Sequence, residues 1–178
     1  MHKNIEKVLF TEKVIEDIVN SLAKENEKDY NGREFIMIGL LKGSIAFMTD
    51  LMRKVNLDFP IDFIAASSYG SGTESTGRVN ILKDVSMSVE GKDILIVEDI
   101  VDSGNTLEFI STYFMAKKAT SVEICTLFDK PERRVTNIKP KYVGSRVPNE
   151  FIVGYGLDYD EMYRNLPYIG VLKPSVYS

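Results

Sequence analysis

The stretch Asp93–Leu107, "DILIVEDIVDSGNTL", decides the fold. Its run "ILIV" reads as a strand covered on both faces, the kind found inside a parallel sheet. The run ends in Glu98 and Asp99, a third acid follows at Asp102, and "SGNT" leads into the helical pattern "LEFISTYFMAKK". In an open parallel sheet, ligands collect in the crevice beyond the carboxyl ends of the strands. An acidic pair there differs from charges scattered on a loop. The small residues of "DSGNT" can present backbone N–H groups to an anion at the start of the helix. A helix N-terminus favours negative charge by about 0.3–1 kcal/mol. A simpler use of "DSG" has Asp102 or Ser103 capping that helix. Acids able to hold hydroxyls or a divalent cation, beside a phosphate cradle, together suit a sugar phosphate.

Working outward, the pattern alternates between strand and helix. "TEKVIEDIVNSLAKENEK" puts Val14, Ile15, Ile18, Val19, Leu22 and Ala23 on one helical face, with Thr11 as its cap. An apolar strand over 35–40 passes through "LKGS" into the helix "IAFMTDLMRKV". "IDFIAASSY", "VNILKDV" and "SVEICTLF" read as further strands. This order predicts an α/β fold: a central, mostly parallel sheet flanked by helices. Past Lys130, "KYVGSRV", "FIVGYG" and "PYIGVL" suit short strands packed at one edge with the N-terminal segment, forming a small hood.

Composition removes several classes of function. The 178 residues carry 22 basic and 26 acidic side chains, a formal charge of −4, so no nucleic-acid or membrane surface held by bulk charge is expected. The apolar run "FIMIGLL" is far below the roughly 18 residues that suggest a membrane span. With no signal-peptide pattern ahead of it, a cytoplasmic protein is expected. One cysteine, Cys125 in an apolar stretch, reads as core, and one histidine, His2, lies at a terminus expected to be mobile. Catalysis through Ser/His/Asp and histidine-rich zinc sites are therefore not expected. Neither familiar phosphate motif is present: "GSGTESTG" has Ser75 where G-x-G-x-x-G needs its last glycine, and G-x-x-x-x-G-K-[ST] has no match.

"VEDIVDSGNTL" closely resembles the phosphoribosyl-pyrophosphate signature of type I phosphoribosyltransferases. "LKGS", "SSYGSGT", "LFDKP" and "FIVGYGLDYDEMYRNLPYIGVL" resemble the hypoxanthine-guanine branch, in the same order over nearly the whole chain. The resemblance implies one phosphoribosyltransferase domain over 1–178. It also implies a magnesium-dependent reaction, in which hypoxanthine or guanine displaces pyrophosphate from 5-phosphoribosyl 1-pyrophosphate to give IMP or GMP. Glu98 and Asp99 would meet the ribose hydroxyls and the magnesium shell, and Asp102, Ser103, Gly104, Asn105 and Thr106 the 5′-phosphate. Asp102 would also act as acid/base at the purine N7.

Lys42, Gly43 and Arg164 match the family's pyrophosphate contacts, and the Leu41–Lys42 peptide can be cis in that family. For the purine, Lys130 would donate to O6, Phe151 would stack, and Ile152 would offer its backbone. Asp158 would lie near the base and the second magnesium. A lysine facing O6 disfavours adenine, which presents a donor there. The segment at about 67–78, with Ser68 and Tyr69, resembles the family's lid over the reacting centre. A homodimer or homotetramer is implied as well. A rival reading is a regulator of this fold that senses phosphoribosyl pyrophosphate without catalysis; such a chain could lose base or pyrophosphate contacts, whereas candidates for all of them stand here.

Overall fold

The two long apolar runs become neighbouring central strands. A computed structural model describes residues 1–68 and 79–177. The chain runs through β1 (Ile5–Phe10), α1 (Glu12–Tyr30), β2 (Phe35–Leu41), α2 (Ile45–Lys54), β3 (Ile61–Ser68) and β4 (Val79–Lys83). It continues as β5 (Asp93–Val101), α3 (Asn105–Ala116), β6 (Ser121–Asp129), β7 (Tyr142–Arg146), β8 (Ile152–Val153), β9 (Ile169–Leu172) and α4 (Pro174–Tyr177). The main sheet has the order β4-β3-β2-β5-β6-β7, and a three-stranded sheet has the order β1-β9-β8.

β5 pairs in parallel with β2 on one side and β6 on the other. Its alternating side chains therefore enter two cores. Leu95 and Val97 pack with Val19 and Leu22 of α1 and with Phe47 and Leu51 of α2. Ile94 and Ile96 pack with Leu107, Ile110 and Phe114 of α3. Phe47 and Phe114 are fully buried, and truncating either to alanine would cost about 3–5 kcal/mol. Thr11 caps α1 as expected, its Oγ1 accepting from the Val14 N–H at 3.4 Å. Val14 itself is exposed, because the buried stripe of α1 is narrower than its apolar pattern.

Four details differ from the sequence-based expectation. β5 outruns "DILIVED" by two residues: its ladder with β6 continues through Glu98↔Thr126 to Val101↔Asp129, so the acids lie inside the strand and not at its end. β4 runs antiparallel to β3, since residues 69–78 are too few for the dozen or so a parallel crossover requires. "KYVGSRV" joins the main sheet as β7, parallel to β6, and not the hood. His2 is held: its backbone N–H donates to Tyr168 Oη at 2.8 Å and its Nδ1 accepts from Asn4 N at 3.2 Å. The other short strands behave as expected, β8 and β9 joining β1 around Ile5, Val153 and Leu172. Cys125 is core, and burial pushes its thiol up to about 12. Tyr69 and the rest of the expected lid lie outside the described residues, apart from the two serines that end β3.

Candidate active site

Three chain segments converge at the carboxyl end of the main sheet: the turn after β2, the end of β5 with its loop, and the segment that follows β8. Two glycines set how close they come. A Cβ on Gly43 would overlap the Asp99 carboxylate, and one on Gly156 would overlap the Gly43 carbonyl oxygen. Gly156 also holds φ +101°, open to glycine at little cost. The Leu41–Lys42 peptide is cis. Beside it, Ser44 is fully buried and its hydroxyl has no hydrogen-bond partner among the described residues.

Glu98 and Asp99 are both buried, at 8% and 7% exposure. Glu98 Oε1 accepts from the Asp99 N–H at 3.0 Å, and Asp99 Oδ1 from the Ile100 N–H at 2.7 Å. Burial, reinforced by the Asp99 charge, pushes the Glu98 carboxyl well above the usual carboxylate range. Burial also raises Asp99, against the pull of the hydrogen bonds it accepts and the Arg164 charge. Two adjacent acids taken out of water call for a positive partner.

Downstream, Gly104 starts α3 with φ +87°, and no side chain caps the helix. The capping role considered for Asp102 or Ser103 is thus not taken up; Ser103 Oγ only accepts a 3.4 Å bond from the Asn105 N–H. An uncapped first turn leaves its N–H groups to other partners. A cleft of about 250 Å³ opens there, walled by Gly43, Glu98, Asp102, Ser103, Gly104 and Thr106 among others, with Asn105 outside its wall. Arg134 fixes the loop from behind. It donates from Nε to the Asp102 carbonyl at 3.0 Å, from Nη1 to the Ile138 carbonyl at 2.7 Å, and pairs with the Asp129 carboxylate. Val135 N donates to the Ser103 carbonyl at 3.0 Å.

A second cleft, of about 330 Å³, lies against the first and is lined by Asp102, Lys130, Arg133, Phe151, Ile152 and Asp158, with others. Asp102 belongs to both walls. Its Oδ1 lies 3.0 Å from Arg133 Nε. Lys130 is buried and donates to the Glu150 carbonyl at 2.9 Å; burial lowers its pKa, opposed by the Asp102 charge. Phe151 stays 39% exposed, stacked on Tyr177 with centroids 5.0 Å apart and edge-on to Tyr159 at 5.4 Å. A roomier cleft of about 600 Å³ between α1 and α2 has mixed charge and no such convergence of acid, lysine and anion cradle.

The chain from 155 to 163 carries unusual backbone. Tyr155, Asp160, Glu161 and Tyr163 all have positive φ, rare for residues with a Cβ. Tyr155 is tied to α2 by a 2.5 Å hydrogen bond from its hydroxyl to Asp50. Arg164 donates from Nη1 to the Gly156 carbonyl at 2.8 Å and lies 2.9 Å from Asp158 Oδ1, while its Nε is buried without a partner among the described residues. Lys42 Nζ meets Glu161 Oε2 at 3.0 Å.

Residues 7–160 match the phosphoribosyl transferase domain. The chain belongs to that family. A curated hypoxanthine-guanine phosphoribosyltransferase of Staphylococcus aureus is 52% identical over all 178 residues and 99% of its own length. A crystal structure of a hypoxanthine phosphoribosyltransferase from the same organism superposes with TM-score 0.96 at 52% identity, covering 100% of this chain and 97% of the other. A hypoxanthine-guanine phosphoribosyltransferase structure from Bacillus anthracis gives TM-score 0.88 at 45% identity, over 94% and 98% of the two chains. The mostly parallel sheet with flanking helices is the type I phosphoribosyltransferase fold.

Glu98, Asp102, Ser103, Gly104, Thr106, Gly43, Lys130, Phe151, Ile152 and Asp158 thus line two adjoining clefts, with Lys42 and Arg164 at a cationic corner; Asp99 and Asn105 line neither cleft. Asp158 stands apart from Glu98 and Asp99, on the cationic side of the site, where its carboxylate meets Arg164 and accepts from the Glu161 N–H. Arg133, Arg134, Ser44, Tyr159, Glu161 and Tyr177 were not found from sequence. The pair Arg133-Arg134, directly after "DKPE", was the one available signal.

Proposed function

We propose that this phosphoribosyltransferase serves purine salvage, transferring the 5-phosphoribosyl group of 5-phosphoribosyl 1-pyrophosphate to N9 of hypoxanthine or guanine. The observation that carries this reading is the position of Asp102 in both clefts, with the anion cradle on one side and Lys130 and Phe151 on the other. A sugar phosphate in the first cleft and a planar base in the second would meet beside that carboxylate. N9–C1 bond formation and loss of pyrophosphate from C1 would accompany transfer of the N7 proton to Asp102. The carboxylates near the ribosyl carbon suit the positive charge that develops on it. Lys130 can donate to O6, Phe151 has an exposed ring for stacking, and the backbone at Ile152 completes the base site.

Magnesium fits the buried acids. Glu98 and Asp99 would hold an ion carried in with the diphosphate, which would shield the leaving group's charge; magnesium keeps most of its shell as water and phosphate oxygen. Asp158 is read as standing near a second magnesium on the pyrophosphate side. No helix among the described residues is long and apolar enough to cross a membrane. A cytoplasmic homodimer or homotetramer fits the reading, and sedimentation assigns its size.

The test supplies 5-phosphoribosyl 1-pyrophosphate, magnesium and each purine in turn. IMP and GMP should form and AMP should not. Tight binding of the sugar diphosphate with no product from any 6-oxopurine would overturn transfer and leave a sensor. Asp102→Asn should lower kcat by about 10²–10⁴ while sugar-diphosphate binding changes little; equal loss of both would remove the proton-transfer role.

A further inference from the structure

Glu161 occupies an unexpected place. Its carboxylate reaches Lys42 Nζ at 3.0 Å and Arg164 Nη2 at 3.4 Å through the same oxygen, Oε2. Both residues belong to the pyrophosphate side in the reading above, Lys42 in the loop whose backbone amide approaches the ligand and Arg164 as the second contact. No other acid bridges both among the described residues.

The backbone beneath Glu161 is built for this reach. Tyr159 and Met162 exchange hydrogen bonds of 3.2 and 3.0 Å, closing a two-residue hairpin with Asp160 and Glu161 at its tip. Both tip residues are left-handed, with φ of 49° and 62°. Turns of this mirror-image kind normally take Asn-Gly or Gly-Gly, and a glutamate at the second position is strained. The strain is held by Asp158, whose Oδ2 accepts from the Glu161 N–H at 2.9 Å. Among the described residues, the buried Nε of Arg164 has no partner in this arrangement.

We propose that Glu161 is a built-in stand-in for pyrophosphate: it keeps Lys42 and Arg164 gathered while the site is empty, and must yield them when the diphosphate binds. The inference rests on the pyrophosphate reading of Lys42 and Arg164. An internal anion on the site's own cations competes with the incoming one and eases its departure. The competition is mild, because Lys42 and Glu161 are 67% and 63% exposed and exposed ion pairs are weak. An effect of about three- to fivefold is expected for two such contacts on one carboxylate.

The experiment measures pyrophosphate binding by calorimetry with magnesium present, together with KM for 5-phosphoribosyl 1-pyrophosphate and for hypoxanthine. Native protein is compared with E161Q and E161G. Both variants should bind pyrophosphate about three- to fivefold tighter and lower the sugar-diphosphate KM by a similar factor, with the hypoxanthine KM within about twofold of native. E161G also relieves the left-handed strain, so its Tm should not fall. At about 1 M salt, where screening is short-ranged, the difference from native should disappear. Unchanged or weaker pyrophosphate binding in both variants overturns the proposal. K42A and R164A, measured alongside, separate the two ideas. If either weakens pyrophosphate binding while E161Q leaves it unchanged, only the role of Glu161 fails. If K42A and R164A both leave it unchanged, the pyrophosphate reading fails.

Discussion

The two halves of the candidate site are made differently. The anion cradle is one continuous piece, β5 running through Asp102 into α3, set by a strand buried in the middle of the sheet. The base and pyrophosphate half is gathered from the turn after β2, the end of β6 and the hood, and it depends on residues forced into left-handed backbone. A continuous motif can be read from its order of residues. An assembled half exists only once the hood has docked, so its geometry is vulnerable at the points of closest approach.

The contrast is tested most severely at Gly156. A Cβ there would meet the Gly43 carbonyl oxygen, a backbone atom that cannot rotate away, at a φ of +101° where alanine is itself strained. G156A should force the hood and the 41–44 turn apart. A misplacement of about 1 Å can cost about 10²-fold, so kcat/KM should fall at least that far. Phosphate bound at the cradle, followed by titration calorimetry, should be affected by less than about threefold, because the β5–α3 piece does not rely on that contact. Equal loss of both would mean that the two halves are one mechanical unit.

Arg134 probes the cradle from the other direction. Its side chain is 12% exposed and joins Asp129 to the carbonyls of Asp102 and Ile138. R134Q leaves a nearly buried carboxylate without its charge partner, a change worth about 3–5 kcal/mol. In a chain of this size about 1 kcal/mol moves Tm by roughly 2–4 °C, so a fall near 10 °C is expected by scanning calorimetry. R134K, which keeps the charge but not the planar fork, should recover part of the Tm while the KM for 5-phosphoribosyl 1-pyrophosphate stays raised. Full recovery of both would reduce Arg134 to a point charge with no part in shaping the loop.

The same contrast explains what could be read from sequence. "DILIVEDIVDSGNTL" carries its strand, its acids and its glycine within fifteen positions, and the sheet places them together without outside help. The true length of β5 was hidden because Glu98 and Asp99 look like a strand's exit; only pairing with β6 shows that they stay inside. Phe151, Lys130 and Arg164 were reached through resemblance, since neither periodicity nor spacing brings them to one cleft. The residues around them escaped notice for related reasons. Tyr177 meets Phe151 across 26 positions of chain, and Glu161 lies in a left-handed tip that no propensity would assign to glutamate. The antiparallel β4 and the placement of β7 are likewise matters of tertiary pairing.

A smaller effect separates the halves by charge. Glu98 titrates above its ordinary range because it is buried beside Asp99, so the folded chain holds a proton that the unfolded chain would release. The sign follows from linkage: a native state that binds more protons loses stability as pH rises from the ordinary glutamate value up through the raised one. Glu98→Gln keeps the oxygen that accepts from the Asp99 N–H and removes the proton from the balance. Near pH 4 the variant and native chain should melt together. At pH 8 the variant should melt about 2–8 °C higher, for a gain of about 1–2 kcal/mol. Magnesium with pyrophosphate should narrow the gap by supplying native Glu98 with the positive partner it lacks. Melting curves that stay parallel from pH 4 to pH 8 would show that the buried pair carries no charge strain. The cradle would then owe its shape to strand pairing and to Arg134, and its acids would be as indifferent to pH as the neutral hood core around Val153 and Leu172.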